Sequence, residues 1–184
     1  MPPRAAITNF FNSEVTGFGV DLRYSRLLRA IDDADPSIRR NNVKVTLLKK
    51  TLPVEGVSNG ITFSFQNPLR NETRNSDPLN HDAIVQSSNF TYLYNKKFYD
   101  VAIQDDGNGS LFIYTKDGNN RVVLQTNIGT VNYTTGEMNL TLNPFSYDTS
   151  LDFRAYPESD DVFVAGNVFL SLNEETLAVE VEAE

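Results

Sequence analysis

The chain of 184 residues contains no cysteine, no tryptophan and a single histidine. The absence of cysteine excludes disulfides, a thiolate nucleophile and cysteine metal clusters, and it makes a reducing cytoplasm the simpler habitat. The N-terminus lacks the apolar core of a signal peptide, and no stretch approaches the roughly 18 apolar residues needed to cross a bilayer. We therefore expect a soluble protein that is not exported and has no membrane partner.

Catalytic signatures are equally scarce. The single histidine, His81, lies in a polar stretch without a cysteine or a recognisable serine elbow, so a solvated loop side chain is the simpler interpretation. Adjacent carboxylates point apart in both helices and strands, unlike the facing pair of a glycosidase. The adjacent pairs are Asp32/Asp33, Asp105/Asp106 and Asp160/Asp161. No glycine-rich phosphate loop or dinucleotide fingerprint is present. These observations predict that the protein is not an enzyme and binds no cofactor and no metal.

The Asp-Asp-Gly-Asn-Gly stretch at residues 105–109 is rich in oxygen ligands, like a calcium-binding loop. It lacks the carboxylate that completes the coordination several positions later. Asp-Gly and Asn-Gly reach positive φ at little cost, so a hairpin turn is the favoured interpretation here and at residues 116–120.

The formal net charge of -8 disfavours nucleic acid as a partner, because attraction to phosphates needs a basic surface. The charge is unevenly distributed. Residues 1–50 contain nine Lys/Arg and five Asp/Glu, a balance of +4, so the remainder of the chain sums to -12. A chain with this polarity can dock on copies of itself or present different faces to different neighbours. The alternative is that these are solvated faces of unequal composition.

Residues 10–42 predict an amphipathic helix between a Gly-Phe-Gly entry and an Asp-Pro exit. Asp21 or Ser25 can cap its start with a side-chain oxygen, and Pro36 forces the preceding residue out of helical geometry. Apolar residues recur at the helical spacing that defines one buried stripe, while three arginines lie off it. The stripe comprises Tyr24, Leu27, Leu28, Ile31 and Ala34, and the arginines are Arg23, Arg26 and Arg29.

Beyond residue 42 the periodicity becomes alternating, which is typical of half-buried strands. Short alternating segments separated by Asn, Asp, Gly and Pro predict a mainly β (α+β) fold, an antiparallel β-sandwich or barrel-like body with one N-terminal amphipathic helix. The predicted organisation is an N-terminal arm and helix at 1–42, an antiparallel β domain at 43–173 and an acidic tail at 174–184. Residues 66–81 predict a long surface loop. The predicted strands include 43–47, 83–94, 121–126, 128–133 and 162–172.

The turn at residues 133–137 joins two alternating arms. Val131 and Tyr133 alternate on one arm, and Met138 and Leu140 alternate on the other. We therefore place Gly136 in the left-handed position of a hairpin turn.

Three stretches carry a resemblance to a known family. The first is a GFG-D-R-S-L-IDD-D-SI-N pattern between residues 17 and 41. The second is IGTVNYTTGEMNLTLN at 128–143, and the third is LDFRAYPESDDVFVAGNVFLSL at 151–172. Together they resemble the C-terminal region of baseplate wedge proteins of contractile-tailed bacteriophages, related to the baseplate J family. The pattern rests on Gly17, Phe18, Gly19, Asp21, Arg23, Ser25, Leu27, Ile31, Asp32, Asp35, Ser37, Ile38, Asn41 and Gly136.

The resemblance implies a structural wedge subunit that lies in the virion tail baseplate and is assembled in the host cytoplasm. It implies partners among copies of this chain and other wedge proteins, closure of a ring around the tail hub, and transmission of the rearrangement that triggers sheath contraction. Two other interpretations stay open. One is a sugar- or receptor-binding β-sandwich at the tail periphery, and the other is a hydrolase with convergent carboxylates.

A basic face is the predicted assembly surface. Arg23, Arg26 and Arg29 project outward from the helix, and Arg39 and Arg40 lie just past its end. Because the rest of the chain is acidic, a second copy offers a complementary surface. We expect self-association, most simply a homodimer, that weakens at high salt.

Overall fold

A computed structural model describes residues 2–36, 38, 40–54, 57–71, 83–118, 120–142, 150–166, 168–175 and 177–179. Contacts divide the chain into two units. The first comprises Met1–Val45 and Asp160–Glu184, and the second comprises Thr46–Ser159. These units are defined by contacts, whereas the predicted division at 42/43 and 173/174 concerns segments of sequence and stays a prediction.

The described residues of the first unit form two helices, where the sequence predicted one. Helix α1 spans Pro3–Glu14 and helix α2 spans Tyr24–Asp32. A proline at the first position suits α1, because that residue has no intrahelical partner for its N–H. Helix α1 buries only Ala6, Ile7 and Phe10, with polar residues interspersed. This weak apolar pattern is why the sequence did not reveal the helix.

Helix α2 confirms four of the five residues of the predicted apolar stripe, and Ala34 lies beyond the end of the helix. Leu27 and Ile31 are buried, and Tyr24 and Leu28 are half-buried. Leu27 and Ile31 lie four residues apart and therefore share one face of the helix. The helix ends at Asp32, before Pro36, as the proline predicts.

The second unit is a nine-stranded, entirely antiparallel sheet that forms a nearly closed, barrel-like body. Its path runs β1-β9-β3-β5-β6-β7-β8-β2, and β4 pairs with β5. The strands are β1 (Leu47–Thr51), β2 (Asn59–Ser64), β3 (Val85–Ser87), β4 (Phe90–Tyr94), β5 (Lys97–Asp105), β6 (Ser110–Asp117), β7 (Asn120–Asn132), β8 (Glu137–Leu142) and β9 (Leu151–Ala155). The predicted mainly β, barrel-like antiparallel body is confirmed.

The core of this sheet follows from alternation along the strands. In β8, Met138, Leu140 and Leu142 are buried and the residues between them are exposed. The rings of Phe63 in β2 and Phe153 in β9 meet at a centroid distance of 5.3 Å. Inward-facing residues of different strands therefore share one apolar cluster.

Several predicted segments are corrected by the structure. Residues 83–94 hold two strands, β3 and β4, whereas 121–126 and 128–132 belong to the single strand β7, and Tyr133 lies in the turn that follows it. The first strand begins only at Leu47. No strand forms among the described residues of 162–172, where Val162 makes only an isolated bridge to Leu22. The residues of this segment alternate between apolar and polar as in a strand, but no neighbouring strand pairs with its described residues.

The predicted surface loop at 66–81 is partly wrong. Asn67 and Leu69 are buried, and the backbone N–H of Leu69 donates to the carbonyl of Tyr133 at 2.7 Å. Leu69 also bridges Pro157. The segment therefore starts as part of the core. Residues 72–82, including His81, lie outside the described part of the chain.

The stretch at 105–109 forms the hairpin turn between β5 and β6, as predicted. Asp105 is buried, and its carboxylate accepts hydrogen bonds from the backbone N–H groups of Ile84 and Val85, both at 2.8 Å. The hydroxyl of Tyr133 donates to the same carboxylate at 2.8 Å. Burial, followed by the charge of Asp105, raises the pKa of Tyr133 well above its usual value. Asp105, at the end of β5, therefore accepts hydrogen bonds from the start of β3 and from the turn after β7, and its role is structural.

Candidate assembly surface

The Gly-Phe-Gly segment is a turn that pairs with residues near the C-terminus. Gly17 and Gly19 both have positive φ, at 95° and 70°. The N–H of Gly19 donates to the carbonyl of Val168 at 2.8 Å, and Leu22 and Val162 exchange hydrogen bonds at 2.9 and 3.0 Å. A side chain at Gly19 would also press on the backbone of Gly166. Glycine is favoured at both positions because it reaches positive φ without steric cost.

Two aspartates complete this junction. Asp21 Oδ1 accepts from the N–H of Val164 at 2.9 Å. Asp161 Oδ1 accepts from the N–H of Tyr24, the first residue of α2, at 2.7 Å. The predicted cap by Asp21 or Ser25 is wrong, because the carboxylate that caps the helix comes from 137 residues away in the sequence. Ser25 lies exposed on α2.

Tyr24 and three motif residues make contacts with the segment that follows α2. The Tyr24 hydroxyl donates to the carbonyl of Val43 at 2.9 Å. The amide of Asn41 donates to Asp32 Oδ1 at 2.5 Å. The carbonyl of Asp35 accepts from the N–H of Ile38 at 3.0 Å. Asp32, Asp35 and Asn41 therefore shape the turn that follows the helix.

The described arginines of the predicted assembly surface are exposed, as expected, but each of the three on or beside α2 lies within 4 Å of an acid of its own chain. Arg23 contacts Asp21 and Asp161 at 3.3 and 3.4 Å. Arg26 lies 3.6 Å from Glu14 on α1, and Arg29 lies 3.8 Å from Asp33. Arg40 is exposed, and Arg39 lies outside the described residues.

The charge polarity of the sequence is not preserved in the contact-defined units. The unit that holds these arginines also holds residues 160–184, which contain seven acids and no Lys or Arg. It therefore contains seven basic and twelve acidic residues, a balance of -5. The basic face is a local feature of helix α2.

Three exposed phenylalanines lie along the same junction, and the sequence did not identify them as surface residues. Phe18 and Phe169 remain 68 % and 59 % exposed although their rings meet edge to face at 5.7 Å. Phe163 is 50 % exposed, and the guanidinium of Arg23 lies 5.2 Å from its ring centroid. Exposed aromatic residues that lie close together are typical of interaction surfaces. Phe163 and Phe169 lie in the segment 162–172, which the sequence predicted to be a strand.

A groove lies beside this patch, between helix α1 and residues 169–174. Its volume is about 350 Å³. The lining residues are Thr8, Phe11, Asn12, Val15, Thr16, Gly17, Phe169, Leu170, Ser171, Leu172 and Glu174. The groove contains apolar and hydroxyl-bearing side chains and one carboxylate, an arrangement suited to binding a polypeptide.

The described residues show no group of three or more His, Asp or Glu arranged to hold a metal ion. None of the helices in the described part of the chain has the length and apolarity to span a bilayer. The carboxylates considered as catalytic candidates make structural contacts instead. Asp105 is an acceptor inside the sheet, and Asp161 caps α2.

This geometry can be compared with known proteins. Residues 4–50 match the family described as Baseplate structural protein gp6, C-terminal domain III. The match covers about a quarter of the chain, from α1 through the Gly-Phe-Gly turn and α2 to Lys50 in β1. No curated protein sequence matches the chain. The gp6 match supports a structural, non-enzymatic role in a bacteriophage baseplate, with other baseplate proteins as partners and the virion tail as the location.

Proposed function

We propose that this chain is a component of a baseplate wedge in a contractile-tailed phage, related to the baseplate J family. It assembles with itself and with other wedge proteins around the tail hub, after synthesis in the host cytoplasm. It relays the rearrangement that triggers sheath contraction. The observation that carries this proposal is that the gp6 match covers α1, the Gly-Phe-Gly turn and α2, which supply much of the candidate assembly surface.

The assembly surface consists of Arg23, Arg26, Arg29, Arg39 and Arg40 together with the neighbouring phenylalanines. Exposed ion pairs contribute about 0 to 1 kcal/mol each, so an arginine can exchange its own acid for that of a neighbour at little cost. The apolar rings supply contact area, and the arginines favour one orientation of the partners. A homodimer is the simplest assembly that this surface supports.

The test is light scattering coupled to size exclusion over a range of protein and salt concentrations. We expect a dimer that dissociates as salt rises, because the Debye length falls from about 8 Å at physiological ionic strength to about 3 Å at 1 M. Replacing Arg23, Arg26 and Arg29 with Gln removes charge without placing like charges beside the acids that they contact. This triple variant should weaken association at least tenfold and leave the circular dichroism spectrum unchanged.

A charge-matched control replaces three exposed lysines of the second unit, Lys96, Lys97 and Lys116, with Gln. This control should associate as the parent does. A monomer at all concentrations, or a dimer indifferent to salt and to the arginine changes, would contradict the proposed surface.

The second candidate function, a sugar- or receptor-binding module, is favoured by one observation, the exposed aromatic rings of Phe18, Phe163 and Phe169. Aromatic rings can stack on sugars, but phenylalanine supplies no hydrogen bond to hydroxyl groups. A glycan array should therefore stay at background. A ligand that protects these rings from solvent would favour the receptor module over the wedge.

A further inference from the structure

We propose that residues 169–172 form an open β-edge that captures an extended segment of a partner polypeptide, which adds a strand and fills the groove beside α1. The inference deepens the proposed function, because a partner from the same assembly would supply that segment. The contact proposed here is made by the backbone of residues 169–172, whereas the arginine surface binds through side chains.

The first observation is a backbone segment that has no hydrogen-bonding partners. Within the described residues, no hydrogen bond involves the N–H or C=O groups of Leu170, Ser171 and Leu172. Backbone groups of this kind pair with whatever extended chain comes within reach. Val168, two positions before Leu170, does have such partners: its carbonyl accepts from the N–H of Gly19, and its N–H donates to the carbonyl of Ala165. The unpaired run therefore begins where the internal pairing of the junction ends.

The second observation is the pattern of exposure. Phe169 and Ser171 are exposed, whereas Leu170 and Leu172 are half-buried. This alternation is that of a strand, and it explains why the sequence predicts a strand at 162–172, although none forms among the described residues of that range. A segment with a strand pattern and unpaired backbone groups completes its ladder when an extended chain is added.

The groove defines the chemistry of the added chain. Phe11, Val15, Leu170 and Leu172 offer apolar contacts, so alternate residues of the partner should be apolar. Glu174 is the titratable residue in the lining, and the guanidinium of Arg4 binds its backbone carbonyl at 2.9 Å. No ion pair of the Glu174 carboxylate is seen in the described residues, so a Lys or Arg at the end of the partner segment complements it.

Nucleic acid does not fit this groove, because the unit carries a balance of -5 and no basic residue lines the groove. An extended polypeptide uses all three features, namely the unpaired backbone, the apolar lining and the carboxylate. We therefore assign the groove to a basic-ended, alternating β-segment of a partner.

The test uses a synthetic peptide, acetyl-Thr-Val-Thr-Val-Thr-Lys-amide, and the isotope-labelled full chain, followed by amide chemical shifts. Titration should move the amides of residues 169–172 and of the groove residues Thr8, Asn12 and Thr16. A matched peptide with N-methyl groups on alternate residues cannot form the ladder, and its affinity should be at least tenfold lower.

Two substitutions at one site separate backbone pairing from side-chain effects. Ser171→Pro removes a backbone N–H that makes no hydrogen bond in the described structure, so the fold should survive and peptide affinity should fall at least tenfold. Ser171→Ala keeps the N–H and should bind as the parent does. Glu174→Gln should weaken binding of the lysine peptide while leaving binding of a peptide that ends in Thr unchanged.

Equal binding of the parent and N-methyl peptides, or no shift at residues 169–172, would overturn the proposal. In the variant with Gln at positions 23, 26 and 29, in which the arginine contact is removed, concentration-dependent shifts of the Leu170, Ser171 and Leu172 amides without peptide would instead assign the groove to a second copy of the chain and contradict the partner assignment. The result is distinguishable from the arginine test. Loss of salt-sensitive dimerisation with retained peptide binding would reject only the arginine surface.

Discussion

Gly136 offers the sharpest test of how the hairpin between β7 and β8 is built. Its φ is +68°, which confirms the left-handed position predicted from the sequence. A Cβ atom there would overlap the carbonyl oxygen of Asn67 and lie 3.3 Å from Phe65 Cβ. The neighbouring backbone cannot easily move away, because the N–H of Phe65 donates to the carbonyl of Gly136 at 2.9 Å.

The cost of Gly136→Ala follows from these contacts. Left-handed backbone costs a residue with a side chain roughly 1 to 2 kcal/mol. Displacing the Phe65 backbone and weakening its hydrogen bond to Gly136 adds about 1 kcal/mol. We therefore expect a loss of about 2 to 3 kcal/mol in the free energy of unfolding, and more for Gly136→Val because its branched side chain is larger.

Two glycines of the same sheet serve as controls. Gly118 has a φ of +60°, but no atom lies within 4 Å of the position that an added methyl group would take, so Gly118→Ala isolates backbone strain. Gly60 has open space and no positive φ, so Gly60→Ala should be nearly neutral. Urea denaturation followed by far-ultraviolet circular dichroism measures all three. An equal loss of unfolding free energy for Gly136→Ala and Gly118→Ala would show that the overlap with Asn67 contributes nothing. An unchanged denaturation midpoint for Gly136→Ala would show that the turn is built differently.

Three further predictions address the helix cap, the buried tyrosine and catalysis. Asp161→Ala should destabilise the chain by about 1 kcal/mol by removing the acceptor for the N–H of Tyr24, and hydrogen exchange at that amide should accelerate. Because burial raises the pKa of Tyr133, the unfolded chain ionises first, so stability should fall as the pH rises above about 10, and Tyr133→Phe should reduce that slope in denaturation experiments. Assays on peptidoglycan, polysaccharides and esters should stay at background, and turnover that is lost in Asp160→Asn would contradict the structural role.

Local patterns predicted the parts of the fold that depend on near neighbours. The stripe of α2 appears in the sequence because Leu27 and Ile31 are four residues apart and both are buried. The hairpin at Gly136 appears because few residues reach positive φ cheaply. The alternation in β8 likewise reports one buried face of the sheet.

Features that depend on distant partners could not be read in this way. Asp161 caps a helix 137 residues away, and nothing local distinguishes it from any other surface aspartate. The alternation around Phe163 and Phe169 predicts a strand, but a strand also needs a neighbour, which no single segment specifies. Arg23, Arg26 and Arg29 were correctly predicted to be exposed. Their acidic contacts, such as Glu14 for Arg26, arise from tertiary structure.

Imaging of the native particle by electron cryomicroscopy tests most directly whether this chain is a structural part of a phage baseplate. We expect density for the chain within the baseplate around the tail hub, with α2 and the exposed phenylalanines Phe18, Phe163 and Phe169 against neighbouring subunits. Density confined to receptor-binding fibres at the tail periphery, or a baseplate that lacks this chain, would contradict it.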